Sequence, residues 1–522
     1  MLNTQPNNFG GGVTFAGTQS NFRDIGLRNT NAGAVVPVLS GVTNLRNLDL
    51  IHDNAGVTLP TLNAAGAMNV IAGGAITQSG NVNVTGITTL NSGASDITLG
   101  NAGNNFSTVV VSSGNNVILR DINALDLGAS TISGTLSVTT AGALTDSGNL
   151  NVTGTTTLTA GAGNDIILDS AGNNFSTVAI TSGRNVTLVD SNALDLGTST
   201  VSRTLNVTTG GALTQSGAVT VAGTTTVAAG AANNITLNNA ANDFSTVGIT
   251  SGNNVSLADA NALDLGTSTI SGNLNVTTAG AITDSGNLNV TGTTTLAAGA
   301  GNDITLDSAA NNFSTVAITS GRNVTLVDSN ALDLGASTVS GTLNVTTNGA
   351  ITQSGALNVA ATTTLSAGAG NNIMLNNASN DFSTVAVTSG GNVTLVDSNA
   401  LDLGTSTISG TLNVTTSGAL TQSGPVAVTG ATTLAAGASD ITLDNAANDF
   451  STLGITSANN VTLRDRNDIS LTSSTVAGNF SVTAGGATCT SATFWAIAAH
   501  GSARRRTATL IGRVMRREPK ST

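Results

Sequence analysis

One feature constrains this chain more than any other, the recurrence of its sequence at a fixed step. The segment 173–217, NNFSTVAITSGRNVTLVDSNALDLGTSTVSRTLNVTTGGALTQSG, returns almost letter for letter at 311–355. Phe106, Phe175, Phe244, Phe313 and Phe382 follow one another at a step of 69, and Phe450 comes after a step of 68. The Leu-Asp-Leu-Gly blocks opened by Leu125, Leu194, Leu263, Leu332 and Leu401 keep the same spacing. The short interval arises because Gly437-Ala438-Ser439-Asp440 replaces the longer Gly368-Ala369-Gly370-Asn371-Asn372. A long repeat with so little drift in length implies stacked units that touch only their neighbours.

The residues between these landmarks alternate in short bursts. Val186-Thr187-Leu188, Leu194-Asp195-Leu196, Leu205-Asn206-Val207, Val219-Thr220-Val221, Ile235-Thr236-Leu237 and Val247-Gly248-Ile249 each place apolar side chains on one face. A period of two means half-buried strands and not helices. Asn, Gly, Ser and Asp end each burst after a few residues, as turns require. Charged residues are only 8% of the chain, against the roughly 25% usual in globular proteins. The 39% hydrophobic content separates it from the disordered class. The expected fold is an all-β, right-handed parallel β-helix (β-solenoid) of 69-residue repeats. Eight or nine bursts per repeat suggest about three coils of roughly 23 residues, with two long or four short coils as alternatives. Some 20 coils stacked at about 4.8 Å would make a rod on the order of 90–100 Å. Phe106 and its equivalents are expected in the core. Asn at matching turns is expected to form side-chain ladders.

Taken in order, residues 1–54 are degenerate solenoid coils, with Asn7-Asn8-Phe9 and Asn21-Phe22 echoing the Asn-Asn-Phe anchor. Residues 55–486 carry the regular repeat. A second order lies on top of it. Asp146 and Asp284 alternate with Gln215 and Gln353, and Asp165 and Asp303 alternate with Asn234 and Asn372. The recent duplication unit is therefore expected to be two repeats copied together, a step of 138. Residues 487–522 break the pattern. They hold the only Cys, Trp, Lys and Glu of the chain, and they carry net charge +6 against −18 for the remainder. A frameshifted or disordered basic tail is expected there, with a basic amphipathic tail for a membrane or partner as the alternative.

Catalysis needs a positioned acid, base or nucleophile. The only histidines, His52 and His500, lie in the least regular regions, and His52 is expected at a surface or turn. Asp that returns once in every repeat suits turns and solubility better than a singular active site. No catalytic, cofactor or metal residue is therefore assigned, and no enzyme is expected. Gly161-Ala162-Gly163-Asn164-Asp165 resembles half of a calcium-binding nonapeptide, but it lacks the tandem copies that share oxygens between turns. Thr224-Thr225-Thr226 would give a threonine array in one coil of three only. An acidic body without a basic stripe argues against nucleic acid. No apolar run reaches the ~18–20 residues of a membrane span. The start MLNTQPNNFGGG has neither the basic head nor the apolar core of a signal peptide.

The units typified by residues 205–257, LNVTTGGALTQSGAVTVAGTTTVAAGAANNITLNNAANDFSTVGITSGNNVSL, resemble the haemagglutination repeats of filamentous-haemagglutinin-like exoproteins. Those belong to two-partner secretion, and autotransporter passengers share the texture. The resemblance covers roughly residues 55–486. It implies a right-handed parallel β-helix, secreted or displayed at the outer membrane of a bacterial cell and used in adhesion or biofilm formation. It also implies an outer-membrane translocation partner and a host-cell or matrix receptor. No Asn-Pro-Asn motif of a secretion domain and no closing membrane barrel are found, so a piece of a longer exoprotein is expected. Within such a protein the chain would be the shaft. The alternative is a solenoid wall that itself binds carbohydrate or like rods, and a β-helix polysaccharide-active enzyme stands third.

Overall fold

The computed structural model describes residues 2–486, and beyond them the backbone of the short strands Thr488–Thr490, Phe494–Ile497, Ala503–Arg504 and Thr509–Gly512. The remaining tail residues, and with them the frameshift and disorder expectations, lie outside the described residues. The chain divides into two compact units, Met1–Ala260 and Asn261–Thr522. Both are built as parallel β-solenoids, with about 24 turns in all. The only helical element among the described residues is the 3-10 turn Gln19–Asn21.

Within the first unit the strands fall into two parallel sheets on opposite sides of one apolar core. Val117 pairs with Leu136, Leu136 with Thr156, Thr156 with Val178, and Val178 with Leu196. Every one of these steps is shorter than an even division of the repeat into three. From Leu194, in the same strand as Leu196, the column continues through Leu213 and Ile235 to Val255. Seven coils therefore separate Val117 from Val255, its counterpart two repeats later. The repeat holds about three coils, and the register sets the value at three and a half.

The half coil has a direct consequence. Each repeat ends on the side opposite the one on which it began, so successive copies exchange sides. Val117–Asp121, Leu136–Thr140, Leu150–Thr159 and Asn174–Ser182 lie in one sheet. Their copies Val186–Asp190, Leu205–Thr209, Val219–Ala228 and Asp243–Ser251 lie in the other. The short strands Leu125–Leu127, Leu144–Asp146 and Ile166–Leu168 occupy this second set's sheet, and their copies Leu194–Leu196, Leu213–Gln215 and Ile235–Leu237 the first. In the second unit the same steps recur, from Leu263 to Ile282, Ile304, Val324, Leu343, Thr363, Val385 and Leu403.

The core follows from the alternation. Leu150, Val152, Thr156 and Leu158 point inward while Asn151, Thr153 and Thr155 face out. Phe106, Phe175, Phe244, Phe313, Phe382 and Phe450 are each at most 1% exposed, as expected of core fillers. Like does not always stack on like. Thr156 and Thr225 sit wholly buried, each in an apolar column, and their hydroxyls meet no hydrogen-bond partner. Glycine is required where the chain leaves the long strand: Gly161, Gly230, Gly299 and Gly368 adopt φ of +82° to +84°, which a side chain disfavours.

Candidate functional site

The repeated polar residues form the candidate site, because their identity changes from one coil surface to the next. The innermost are structural. Asp190 ends a strand with its carboxylate buried, accepting the Phe175 N–H at 2.6 Å and the Asn192 N–H at 2.8 Å. Asp121, Asp328, Asp397 and Asp465 repeat this arrangement. Burial pushes these carboxyls up, against the two N–H groups that favour the charged form. Buried Asn173 accepts the Leu150 N–H at 2.8 Å and donates to Asp146 at 2.7 Å. In the next copy Asn242 accepts the Val219 N–H and exchanges two bonds with Gln215. Asp and Gln thus serve the same anchoring role, which explains why the position tolerates both.

Sequence reasoning missed a further fixed element, the buried Ser199. Its hydroxyl donates to the Gly197 carbonyl at 2.9 Å and accepts the Ile180 N–H at 3.1 Å. Ser130, Ser337 and Ser406 do the same. The signal was present as a serine in the second place after every Leu-Asp-Leu-Gly glycine.

At the surface the copies diverge. Asp165 receives the Arg184 guanidinium through two bonds of 2.7 Å and the Asn185 N–H and amide at 3.1 and 2.9 Å. The arginine beside it holds its carboxyl at about 2. Asp303 repeats this with Arg322, also at about 2. The half-nonapeptide aspartate is therefore a guanidinium acceptor here. Asn234 instead accepts the Asn254 N–H and amide at 3.2 and 3.1 Å, and Asn372 does so from Asn392. Asp96 lies one repeat before Asp165 and is met by Asn115 and Asn116. Amide rungs do form between coils, as Asn192 donates to Asn174 at 2.7 Å, and short rows run across three coils where Asn392 donates to Asn372 and accepts from Thr411.

Because copies alternate sides, these substitutions segregate by side. Across residues 114–251, one side carries Asp126, Asp146, Asp165, Asp169, Asp190 and Asp243 against Arg184 and Arg203, a net of −4. The opposite side carries Asp121 and Asp195 against Arg120, a net of −1. In the second unit, residues 261–389 repeat the imbalance. Asp264, Asp284, Asp303, Asp307, Asp328 and Asp381 stand against Arg322 on one side, a net of −5. The other side has Asp333 alone. On the nearly neutral sides the positions matching Asp165, Asp169, Asp303 and Asp307 are Asn234, Asn238, Asn372 and Asn376.

His52 departs from expectation. It is fully buried, with Nδ1 3.1 Å from the Gly56 carbonyl oxygen and no hydrogen-bond partner for Nε2. His52-Asp53-Asn54-Ala55 aligns with Asp190-Ser191-Asn192-Ala193, so the histidine fills the niche of the buried aspartate. At the place where Phe175 precedes Asp190, the chain before His52 has Pro37, which has no N–H to offer. Among the described residues no group of three or more His, Cys, Asp or Glu stands together as a metal site would need. No helix among them is long and apolar enough to cross a membrane.

A family described as repeats of unknown function (DUF5649) matches in seven consecutive copies, at residues 45–113, 114–182, 183–251, 252–320, 321–389, 390–457 and 458–504. The match begins at 45, ahead of the boundary drawn from the sequence at 55. No curated protein and no solved structure matches the chain.

Proposed function

The chain belongs to the DUF5649 repeat family, and from that premise we propose that it is the structural shaft of a bacterial surface or secreted adhesive protein, without enzymatic activity. One observation carries this reading: coil after coil repeats the same strands in the same register, with a single residue of drift in length over five intervals. Recognition usually sits on loops or inserted domains held by a rigid scaffold. This repeat has neither, so its role is to set distance. Against a β-helix enzyme stands the engagement of the repeated surface aspartates Asp165 and Asp303, each held by an arginine and an asparagine one coil on. Export through an outer-membrane partner belongs to the same proposal and rests on the resemblance to haemagglutinin-like repeats.

The test is a binding assay on the purified chain, using host-cell monolayers and a glycan array. A shaft binds neither. Saturable binding that is lost when exposed side-chain rows are substituted would replace the shaft with the second reading, a solenoid wall that is itself the recognition surface. A second arm deletes residues 183–320, which removes two whole repeats and so restores each strand to its own side. A shaft so shortened keeps its fold.

A further inference from the structure

The side-to-side exchange of copies turns a sequence alternation into a surface property. A substitution made in every second repeat falls on one side only, because two repeats span a whole number of coils. Asp165, Asp169, Asp303 and Asp307 therefore mark one side of their units, and Asn234, Asn238, Asn372 and Asn376 the other. The strand framework is indifferent to the choice, since Asp165 and Asn234 accept from the same pair of backbone and amide groups one coil on. The shared backbone and amide donors do not dictate the choice, and Asp165 and Asp303 take Arg184 and Arg322 in addition.

We propose that the amide side of each unit is a self-association face, on which a second copy of this chain docks side by side. Charge selects this face. A body of net charge −18 repels its own kind, and the repulsion concentrates on the side that carries the excess of aspartate. The amide sides also carry Asp96 and Asp259 in the first unit and Asp397 and Asp449 in the second, outside the Asn rows, so two copies meet least of it by bringing the stretches around Asn234 and Asn238 or Asn372 and Asn376 together. There Asn side chains offer both a donor and an acceptor, so a facing copy of the same row is complementary to itself. Met374, 46% exposed between Asn372 and Asn376, adds apolar surface at the centre of one such row. The acidic side stays solvated and keeps the assembly from growing in that direction. This builds on the shaft role, since copies bound side by side resist bending more than one copy does.

The experiment exchanges the sides by using each as the template for the other. One full-length variant carries Asn234→Asp, Asn238→Asp, Asn372→Asp and Asn376→Asp. The reciprocal carries Asp165→Asn, Asp169→Asn, Asp303→Asn and Asp307→Asn. Both place on each row a residue the framework already holds at an equivalent position, and circular dichroism verifies the fold. Sedimentation velocity over a range of concentrations is the readout. The wild type is expected to associate, the first variant to associate at least tenfold more weakly, and the reciprocal to associate as well as wild type or better. A wild type that stays monomeric at every concentration, or two variants that behave alike, would overturn the proposal. Association would join the binding of like rods to the shaft role instead of opposing it, and the shaft role itself falls only if the purified chain binds cells or glycans.

Discussion

Residues 114–182 and 183–251 are two copies of one sequence whose matching strands lie on opposite sides of one core. Their interiors are interchangeable. Phe175 and Phe244 are equally buried, Ser130 and Ser199 tie the same bend, and Asp121 and Asp190 accept the same two N–H groups. Their surfaces differ, with an Asp165–Arg184 pair on one and an Asn234–Asn254 pair on the other. The difference separates two kinds of constraint. What faces inward is dictated by the stack above and below, and is copied faithfully. What faces outward is free to vary, and the half-integral coil count sorts that variation by side.

The largest effect should be common to both copies. Phe175→Ala and Phe244→Ala should each cost about 3–5 kcal/mol, read by urea denaturation, and the two values should agree. A marked inequality would break the equivalence of the interiors. Next comes the buried acceptor. Asp190→Ala strands the Phe175 and Asn192 N–H groups and should cost about 1–3 kcal/mol. Asp190→Asn should cost much less, because Asn29 in the first coils accepts both the Phe9 and Asn31 N–H groups through one amide oxygen.

Acid should act on the two copies differently. Asp165 titrates at about 2 when folded, below the ~3.9 of a free aspartate. Its contribution is complete above the unfolded value and is lost as the pH falls through about 2. Asp165→Asn should remove that acid-dependent loss around residues 165–185, while residues 234–254 show none in either protein. Hydrogen exchange between about pH 5 and pH 2 reads both regions. The buried Asp190 works with the opposite sign. Its raised carboxyl takes up a proton more readily in the fold than in the unfolded chain, so its protonation favours the folded state as the pH falls. Smallest of all is Thr225→Val. The hydroxyl is buried without a partner, so its removal should be neutral or stabilise by up to about 1 kcal/mol. A thermal melt checks the sign, and a clear loss would reveal a bond that the packing does not show.

The solenoid was legible in the sequence because its determinants are local. Alternation in bursts such as Val186-Thr187-Leu188 names strands, and constant spacing names a stack. The half coil was not legible, because coil length depends on where the backbone bulges. The register slips between Val152 and Thr155 and again between Leu158 and Thr159. The alternation of Asp165 with Asn234 was visible from the start, but its meaning required knowing which copies share a side. His52 was misplaced for a related reason. A lone histidine in an irregular stretch gave no cue until its coil could be aligned with that of Asp190.

The exchange of sides is tested most directly where one copy hands over to the next. Thr177, in the last long strand of one copy, pairs with Asp195 in a short strand of the following copy. Thr200, a little further along the chain, lies in the opposite sheet. With Cys489→Ser to remove the native thiol, Thr177→Cys with Asp195→Cys should close a disulfide under mild oxidation at low protein concentration. Thr177→Cys with Thr200→Cys should stay reduced. A disulfide in the second pair and none in the first would mean three whole coils per repeat, with every copy on the same side.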